Sequence, residues 1–211
     1  MIEISLDQLP KYSELPELII NNGKVKKKFK TIKQVLREFE IEKWGEINKN
    51  NNCKILDIDV IENQYQNLND EYVFFYNGKF YLANHRTILN KHILFYENIL
   101  SKYSKDASAI VEFGAGFGSK ILRLKSKNFI KDKPLFAGEL TQSGQDLIKK
   151  IARNMNINIK VGFIDLRERK IERNFKIPKN SLIFTSYAAH YDPKMNENFA
   201  DFLIQFEPRA V

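Results

Sequence analysis

Cysteine is nearly absent from this sequence; Cys53 stands alone. A single thiol closes no intramolecular disulfide, and no Cys or His lies beside it at metal-ligand spacing, so Cys53 reads as a small buried or half-buried side chain. Long apolar runs are missing too. No stretch of about 18 uncharged apolar residues occurs, and the start, Met1-Ile2-Glu3-Ile4-Ser5, carries neither a basic segment nor a hydrophobic one. The expectation is a cytoplasmic chain with no membrane partner. Histidine is scarce, three residues in 211, and forms no cluster with acids or Cys, so no metal is expected. There is no internal repeat and no low-complexity linker.

What is present suits a globular protein. Apolar residues make up 43% and aromatics 12% of 211 residues, enough to bury a core in one large domain or two small ones. Lys and Arg (34) outnumber Asp and Glu (26), giving a formal charge of +8. Such a charge favours anionic partners. The lysines are scattered, however, and the one dense run, Lys24 to Lys30, falls in an expected loop before a helix. We read it as a solvated basic segment, which leaves nucleic acid as the less favoured partner.

Periodicity divides the chain near residue 105. Residues 1 to 50 read as helical: Leu6, Leu9, Leu15, Leu18 and Ile19 form groups broken by Pro10 and Pro16. Phe29, Ile32, Val35, Leu36 and Phe39 then recur at helical spacing behind Thr31 as cap. Ile55, Ile58, Val60 and Ile61 read as short extended runs. Tyr72 to Tyr76 and Lys79 to Leu82 flank Asn77-Gly78, whose positive φ values suit a type I′ turn, so a β-hairpin is expected. A helix from about Thr87 to Lys102 follows, with Ile88, Leu89, Ile93, Leu94, Tyr96 and Leu100 on its apolar face and His85 and His92 at its edges as surface or packing residues.

From Ser108 the pattern alternates strand and helix, as a parallel sheet requires. Strands are expected at Ala109 to Phe113, Leu135 to Glu139, Ile159 to Ile164 and Leu182 to Thr185, with Ala210-Val211 beginning a fifth. Helices are expected at about Ser119 to Asn128, Ser143 to Met155 and Asn196 to Phe206. The fold class is therefore α/β: a Rossmann-like, mostly parallel sheet flanked by helices (106–211), preceded by an N-terminal helical region with a β-hairpin (1–105).

The informative stretch is Glu112-Phe113-Gly114-Ala115-Gly116-Phe117-Gly118-Ser119, where a buried strand enters a glycine-rich turn and then a helix. Glycines there permit a tight turn and remove Cβ atoms that would hold a ligand off the backbone. Dinucleotide sites favour G-x-G-x-x-G, with pyrophosphate at the helix N-terminus, whereas here the glycines fall as G-x-G-x-G behind an acid.

This motif resembles the first motif of class I S-adenosylmethionine-dependent methyltransferases. The resemblance covers about half the chain. It implies a cofactor loop of Glu112, Gly114, Ala115, Gly116 and Gly118, with S-adenosylmethionine as cofactor. It assigns Glu139, ending the second strand, to the ribose hydroxyls, and Asp165, ending the third, to the adenine amino group, with Phe163, Ile164 and Leu166 as walls. Residues after the fourth strand, from Thr185, would face the transferable methyl group. In that stretch His190 is the candidate general base and Tyr187, with Tyr191, a shaper of the pocket. The segment departs from the Asn-Pro-Pro-Tyr pattern of many amino-group methyltransferases, which tilts the reading toward O-methylation of a sugar or other small molecule by in-line transfer. Family members usually have seven strands, so the Rossmann-like half is expected to be incomplete after Val211. An inactive methyltransferase-like binding module, a nucleic-acid methyltransferase and an NAD-dependent enzyme stay open as rivals. A homo-oligomer is compatible with the sequence, and residues 1–105 suit a lid, substrate or dimer surface.

Overall fold

In a computed structural model, the structure describes residues 1–14, 16, 30–50, 57–65, 69–126, 130, 132–192 and 198–211, with the backbone alone for 63–65. Cys53, Leu15, Leu18, Ile19, Phe29, Ile55 and residues 24–29 of the basic run lie outside the described residues. The chain divides into two compact units: Met1–Lys28 with Glu62–Phe95, and Phe29–Ile61 with Tyr96–Val211. The segment Phe29–Ile61, which the sequence groups with the N-terminal region, thus belongs to the unit that carries the parallel sheet.

The first unit holds a three-stranded antiparallel sheet in the order β1-β3-β2, formed by β1 (Ile2–Ile4), β2 (Glu71–Tyr76) and β3 (Lys79–Asn84). The hairpin turns where expected: Asn77 (φ 49°) and Gly78 (φ 79°) take the left-handed values of a type I′ turn and set Tyr76 opposite Lys79. Phe74, Ala83 and Ile88 are buried together, with Tyr76 and Tyr81 packed on them. The strand Ile2–Ile4 corrects the helical reading of residues 1 to 50. It is three residues long, and its partners, Leu82, Tyr81 and Phe80, are distant in sequence. Helix α4 (His85–Ser104) follows β3, capped by the Asn84 side chain accepting from the Thr87 N–H.

The second unit opens with a helical segment in three parts: α1 (Ile32–Leu36), a wide π-turn (Arg37–Lys43) and α2 (Trp44–Asn50). Thr31 caps it as expected, its hydroxyl accepting from the Gln34 N–H while the Gln34 side chain accepts from the Thr31 N–H. Ile58–Tyr65, read as extended, is the helix α3, because Asp57 caps it: its Oδ1 accepts from the Asp59 N–H at 2.7 Å. Local capping here outweighs the strand preference of Ile58, Val60 and Ile61.

A five-stranded sheet follows in the order β7-β6-β5-β4-β8, made of β4 (Ile110–Phe113), β5 (Leu135–Glu139), β6 (Ile159–Asp165), the antiparallel β7 (Lys170–Ile171) and β8 (Leu182–Thr185). Strands β4, β5, β6 and β8 are parallel. Taken in chain order they lie 3-2-1-4, the arrangement of a Rossmann-like sheet, whose direction of winding switches between the first and fourth strands. Every residue of β4 and β5 is buried, Glu112 and Glu139 included, which matches their mostly apolar composition. One face packs Val111, Phe113, Phe136, Ile164 and Ile183 with Phe202 and Leu203; the other packs Ala115, Ala137 and Ile148. Helices α5 (Ser119–Ser126), α6 (Gln142–Asn154) and α7 (Phe199–Ile204) follow β4, β5 and β8. Ala210 makes a parallel bridge to Leu182, and the Ile183 N–H donates to its carbonyl at 3.0 Å, at the place expected to begin a fifth strand. Among the described residues no helix is long and apolar enough to cross a membrane.

Candidate functional site

Ligands of Rossmann-like sheets bind beyond the carboxyl ends of the strands at the switch in winding, here between β4 and β8. The glycine-rich loop lies there. Gly114, Gly116 and Gly118 all take positive φ (73°, 59° and 78°), a region costly for any residue with a Cβ. The Gly114 and Ala115 N–H groups both donate to the Gly138 carbonyl, at 2.8 and 3.0 Å, which pins the loop to the end of β5.

Two buried carboxylates hold this loop from inside. Glu112 accepts from the Ile121 N–H at 3.2 Å, in the first turn of α5. Burial pushes its carboxyl up to about 7, against the pull of Lys120 and of that N–H, and with a further push from Glu139. Glu139 accepts from the Gly116 N–H at 2.8 Å through Oε2, and from the Thr141 N–H and hydroxyl at 3.0 and 2.7 Å through Oε1. Burial raises its carboxyl too, opposed by these hydrogen bonds. Three of its roughly four acceptor positions are therefore in use. To receive both hydroxyls of a ribose it must release a partner, a demand invisible in the sequence.

The spaces left by the glycines are filled by this chain's own side chains. A Cβ on Gly114 would overlap that of Ala188; on Gly116 it would stand 3.2 Å from the Trp44 indole; on Gly118, 3.2 Å from Ile148. The loop is thus packed as well as tightly turned.

Asp165 ends β6 as expected and is 7% exposed. Its Oδ1 accepts from the Arg167 and Glu168 N–H groups at 2.9 and 3.2 Å, shaping the turn into β7. Ile164 and Leu166 are buried in the core beneath it rather than placed as free walls. Thr185 ends β8 beside Phe113, and its Oγ1 is buried with no hydrogen-bond partner among the described residues. An orphaned hydroxyl of this kind costs about 1 to 3 kcal/mol, which a polar ligand atom would recover.

Beyond Thr185 the chain is strained and partly open. Tyr187 has φ 58° and is 60% exposed, with the Lys120 ammonium 5.9 Å from its ring centroid. Partial burial, and Tyr96 nearby, push its phenol up. A bulky residue in the left-handed region is held there only by its surroundings. Ser186, just before it, is buried and shares a 3.0 Å hydrogen bond with the Tyr96 hydroxyl. His190 is the exposed residue of the half-buried 3₁₀ turn Ala189–Tyr191, its ring 4.1 Å from that of Tyr191. The structure thus gathers Glu112, the glycines, Glu139 and Thr185 at one end of the sheet, with Asp165 at the end of β6 and His190 on the outer turn.

No protein-family model and no curated protein matches this sequence. Several solved structures overlap it. An O-methyltransferase from Bacillus cereus in complex with SAH is 13% identical, covers 84% of this chain and 68% of its own, and gives a TM-score of 0.43. A protein from Pyrococcus horikoshii OT3 is 14% identical over 56% of this chain and 50% of its own (TM-score 0.41). A structure from work on conversion of a disulfide bond into a thioacetal group during echinomycin biosynthesis is 15% identical over 51% and 42% (TM-score 0.40). The chain spans about half the length of these last two.

Three residues of the site escape a reading by motif. Thr141 braces Glu139 and caps α6, its hydroxyl accepting from the Gly144 N–H at 3.3 Å; a Thr directly before a helix is the signal that would find it. Glu40 reaches the same helix start, accepting from the Ser143 N–H at 3.2 Å, and Trp44 covers Gly116. Both come from the helical segment 32–50, roughly 70 to 100 residues earlier, and no local pattern announces such contacts. Among the described residues no group of three His, Cys, Asp or Glu is placed to hold a metal.

Proposed function

We propose that this chain binds S-adenosylmethionine at the glycine-rich loop and is a methyltransferase of the class I type. The observation that carries this reading is the placement of Glu112. In a dinucleotide site the helix after the first strand offers its free N–H groups to a pyrophosphate. Here a buried carboxylate already takes an N–H of that first turn, and a second, Glu139, holds the loop a few residues away. These N–H groups are therefore not free to hold a phosphate. A ligand without phosphate makes no such demand on them.

The donor set fits such a cofactor. Glu139 and Asp165 offer acceptors at successive strand ends, and Thr185 offers an unsatisfied hydroxyl. When bound, the cofactor supplies an electrophilic methyl group on a positively charged sulfur. The chain's own part is to align the acceptor, exclude water and accept a proton. His190 is the proposed proton acceptor, since imidazole is the side chain most often used to take a hydroxyl proton. Tyr187, fixed by its strained backbone, would form one wall of the acceptor site. The proposed acceptor is a hydroxyl of a sugar or another small molecule.

A second reading has an observation of its own. Filled glycine spaces and a largely satisfied Glu139 suit a silent, methyltransferase-like module that binds cofactor weakly and turns nothing over.

Calorimetric titration with S-adenosylhomocysteine, on the wild type and Glu139→Gln, tests the cofactor site that both readings share, and methyl transfer from S-adenosylmethionine to a hydroxyl acceptor separates them. Binding weakened by about tenfold in the variant, equal to about 1.4 kcal/mol, supports the cofactor site. Absence of heat with the wild type removes it, and NADH binding in its place would revive a dinucleotide site.

A further inference from the structure

Lys120 sits in the first turn of α5, just past the last glycine of the loop, and is half-buried. Its ammonium lies 5.9 Å from the centroid of the Tyr187 ring and 3.4 Å from the Ser119 hydroxyl. Glu112 feels this charge, yet among the described residues no carboxylate stands within ion-pair distance of Lys120. Opposite it runs the segment after β8. Ala188 fills the space against Gly114, and Tyr187, at φ 58°, holds its ring beside the ammonium. Tyr187 is 60% exposed, so this side opens to solvent. Two residues earlier, the Thr185 hydroxyl is buried with no partner among the described residues. Lys120 and Tyr187 thus follow the two strands, β4 and β8, between which the winding of the sheet switches, the place where Rossmann-like sheets take their ligands.

A half-buried ammonium has lost part of its hydration, and a ring face returns less than an anion does. Backbone strain like that of Tyr187 persists where it positions a side chain. The anion that suits this setting is a carboxylate. Phosphate draws on the amides of a helix start as well as on a cation, and Glu112 already holds one amide of this turn. A carboxylate is satisfied by a charge-assisted hydrogen bond from the single cation. We infer that Lys120 binds the carboxylate of a ligand lying between α5 and the segment after β8. The inference rests on the cofactor reading above and deepens it. Such a carboxylate has two sources, the amino-acid end of S-adenosylmethionine or a hydroxy acid that accepts the methyl group.

Calorimetry on the full chain with S-adenosylhomocysteine, and with methylthioadenosine, which lacks the amino-acid end, reads the first source. Where the carboxylate is the cofactor's, Lys120→Met weakens S-adenosylhomocysteine by about tenfold and methylthioadenosine by less than about twofold, and Lys120→Arg keeps most of the affinity. Methyl transfer to hydroxylated carboxylic acids and to their primary amides reads the second. Where the carboxylate is the acceptor's, the wild type prefers the acids by about tenfold in kcat/KM and Lys120→Met loses that preference. In that arm S-adenosylhomocysteine affinity stays within about twofold, and Lys120→Arg restores the preference. Either pattern bears the inference out and names the source. A Lys120→Met chain that changes neither the S-adenosylhomocysteine affinity nor the preference for acids, or that weakens both nucleoside ligands equally, overturns it and leaves the cofactor site standing. Failure of S-adenosylhomocysteine to bind the wild type overturns both readings.

Discussion

Replacing Gly114 by Ala tests how the loop is held. Two separable costs arise. The first is conformational: Gly114 sits at φ 73°, and a Cβ there costs about 1 to 2 kcal/mol. The second is steric, because the new Cβ would overlap that of Ala188, in the segment that follows β8. Overpacking of this kind typically costs about 1 to 3 kcal/mol. Gly114→Ala should therefore lose about 2 to 5 kcal/mol in urea unfolding of the whole chain. The double variant Gly114→Ala/Ala188→Gly removes the overlap and keeps the backbone strain. It should recover about 1 to 3 kcal/mol of the loss, a coupling measured by a double-mutant cycle. Strict additivity of the two changes, or a Gly114→Ala variant as stable as the wild type, would refute the packing of the loop against the segment after β8.

Other outcomes follow from the buried acids. Glu112 has its folded carboxyl raised from an ordinary value of 4.5 to about 7, so the folded state binds its proton more tightly than the unfolded chain. Stability contributed here is present below about pH 4.5, declines as pH rises toward 7 by about 3 kcal/mol, and is flat above. Glu112→Gln, which keeps an acceptor for the Ile121 N–H, should be more stable than wild type at pH 8 and show a shallower decline between pH 5 and 8 in denaturant midpoints. An unchanged slope would contradict this. Thr141→Ala removes both a helix cap and a hydrogen bond to the Glu139 carboxylate, and should cost about 2 to 3 kcal/mol by chemical denaturation, with Thr141→Ser restoring most of it. Arg169 joins the turn after β6 to the segment after β8 through a 2.6 Å ion pair with buried Asp192. Arg169→Met should remove that ion pair and lower the thermal midpoint by several degrees in thermal unfolding; an unchanged midpoint would contradict it.

The sheet is legible in the sequence because burial on both faces forces mostly apolar runs. Ile110–Phe113, Leu135–Glu139 and Leu182–Thr185 lie where those runs place them, and Asn77-Gly78 announces its own turn. Very short strands are not legible, because pairing and not their own pattern defines them. Ile2–Ile4 becomes a strand only beside Phe80, Tyr81 and Leu82, far along the chain, and the two-residue Lys170–Ile171 only beside Ile164 and Asp165. Helix Ile58–Tyr65 was within reach, since Asp57 is a good cap, but three β-branched residues pointed the other way. At the site, Glu112 and the glycines follow the strand that the motif announces, and the sheet sets them at the switch in strand order. It does not reveal that Glu139 spends most of its acceptor capacity on Gly116 and Thr141, or that Trp44 closes over the loop, because both depend on side-chain geometry across the fold.

The most direct test of cofactor binding at the glycine-rich loop is to follow backbone amide signals of the ¹⁵N-labelled chain by NMR during titration with S-adenosylmethionine and, separately, NADH. Shifts concentrated at 112–118, 139–141 and 165–166 with S-adenosylmethionine alone are the expected result. Unmoved loop amides with S-adenosylmethionine, or the same shifts with NADH, would contradict it.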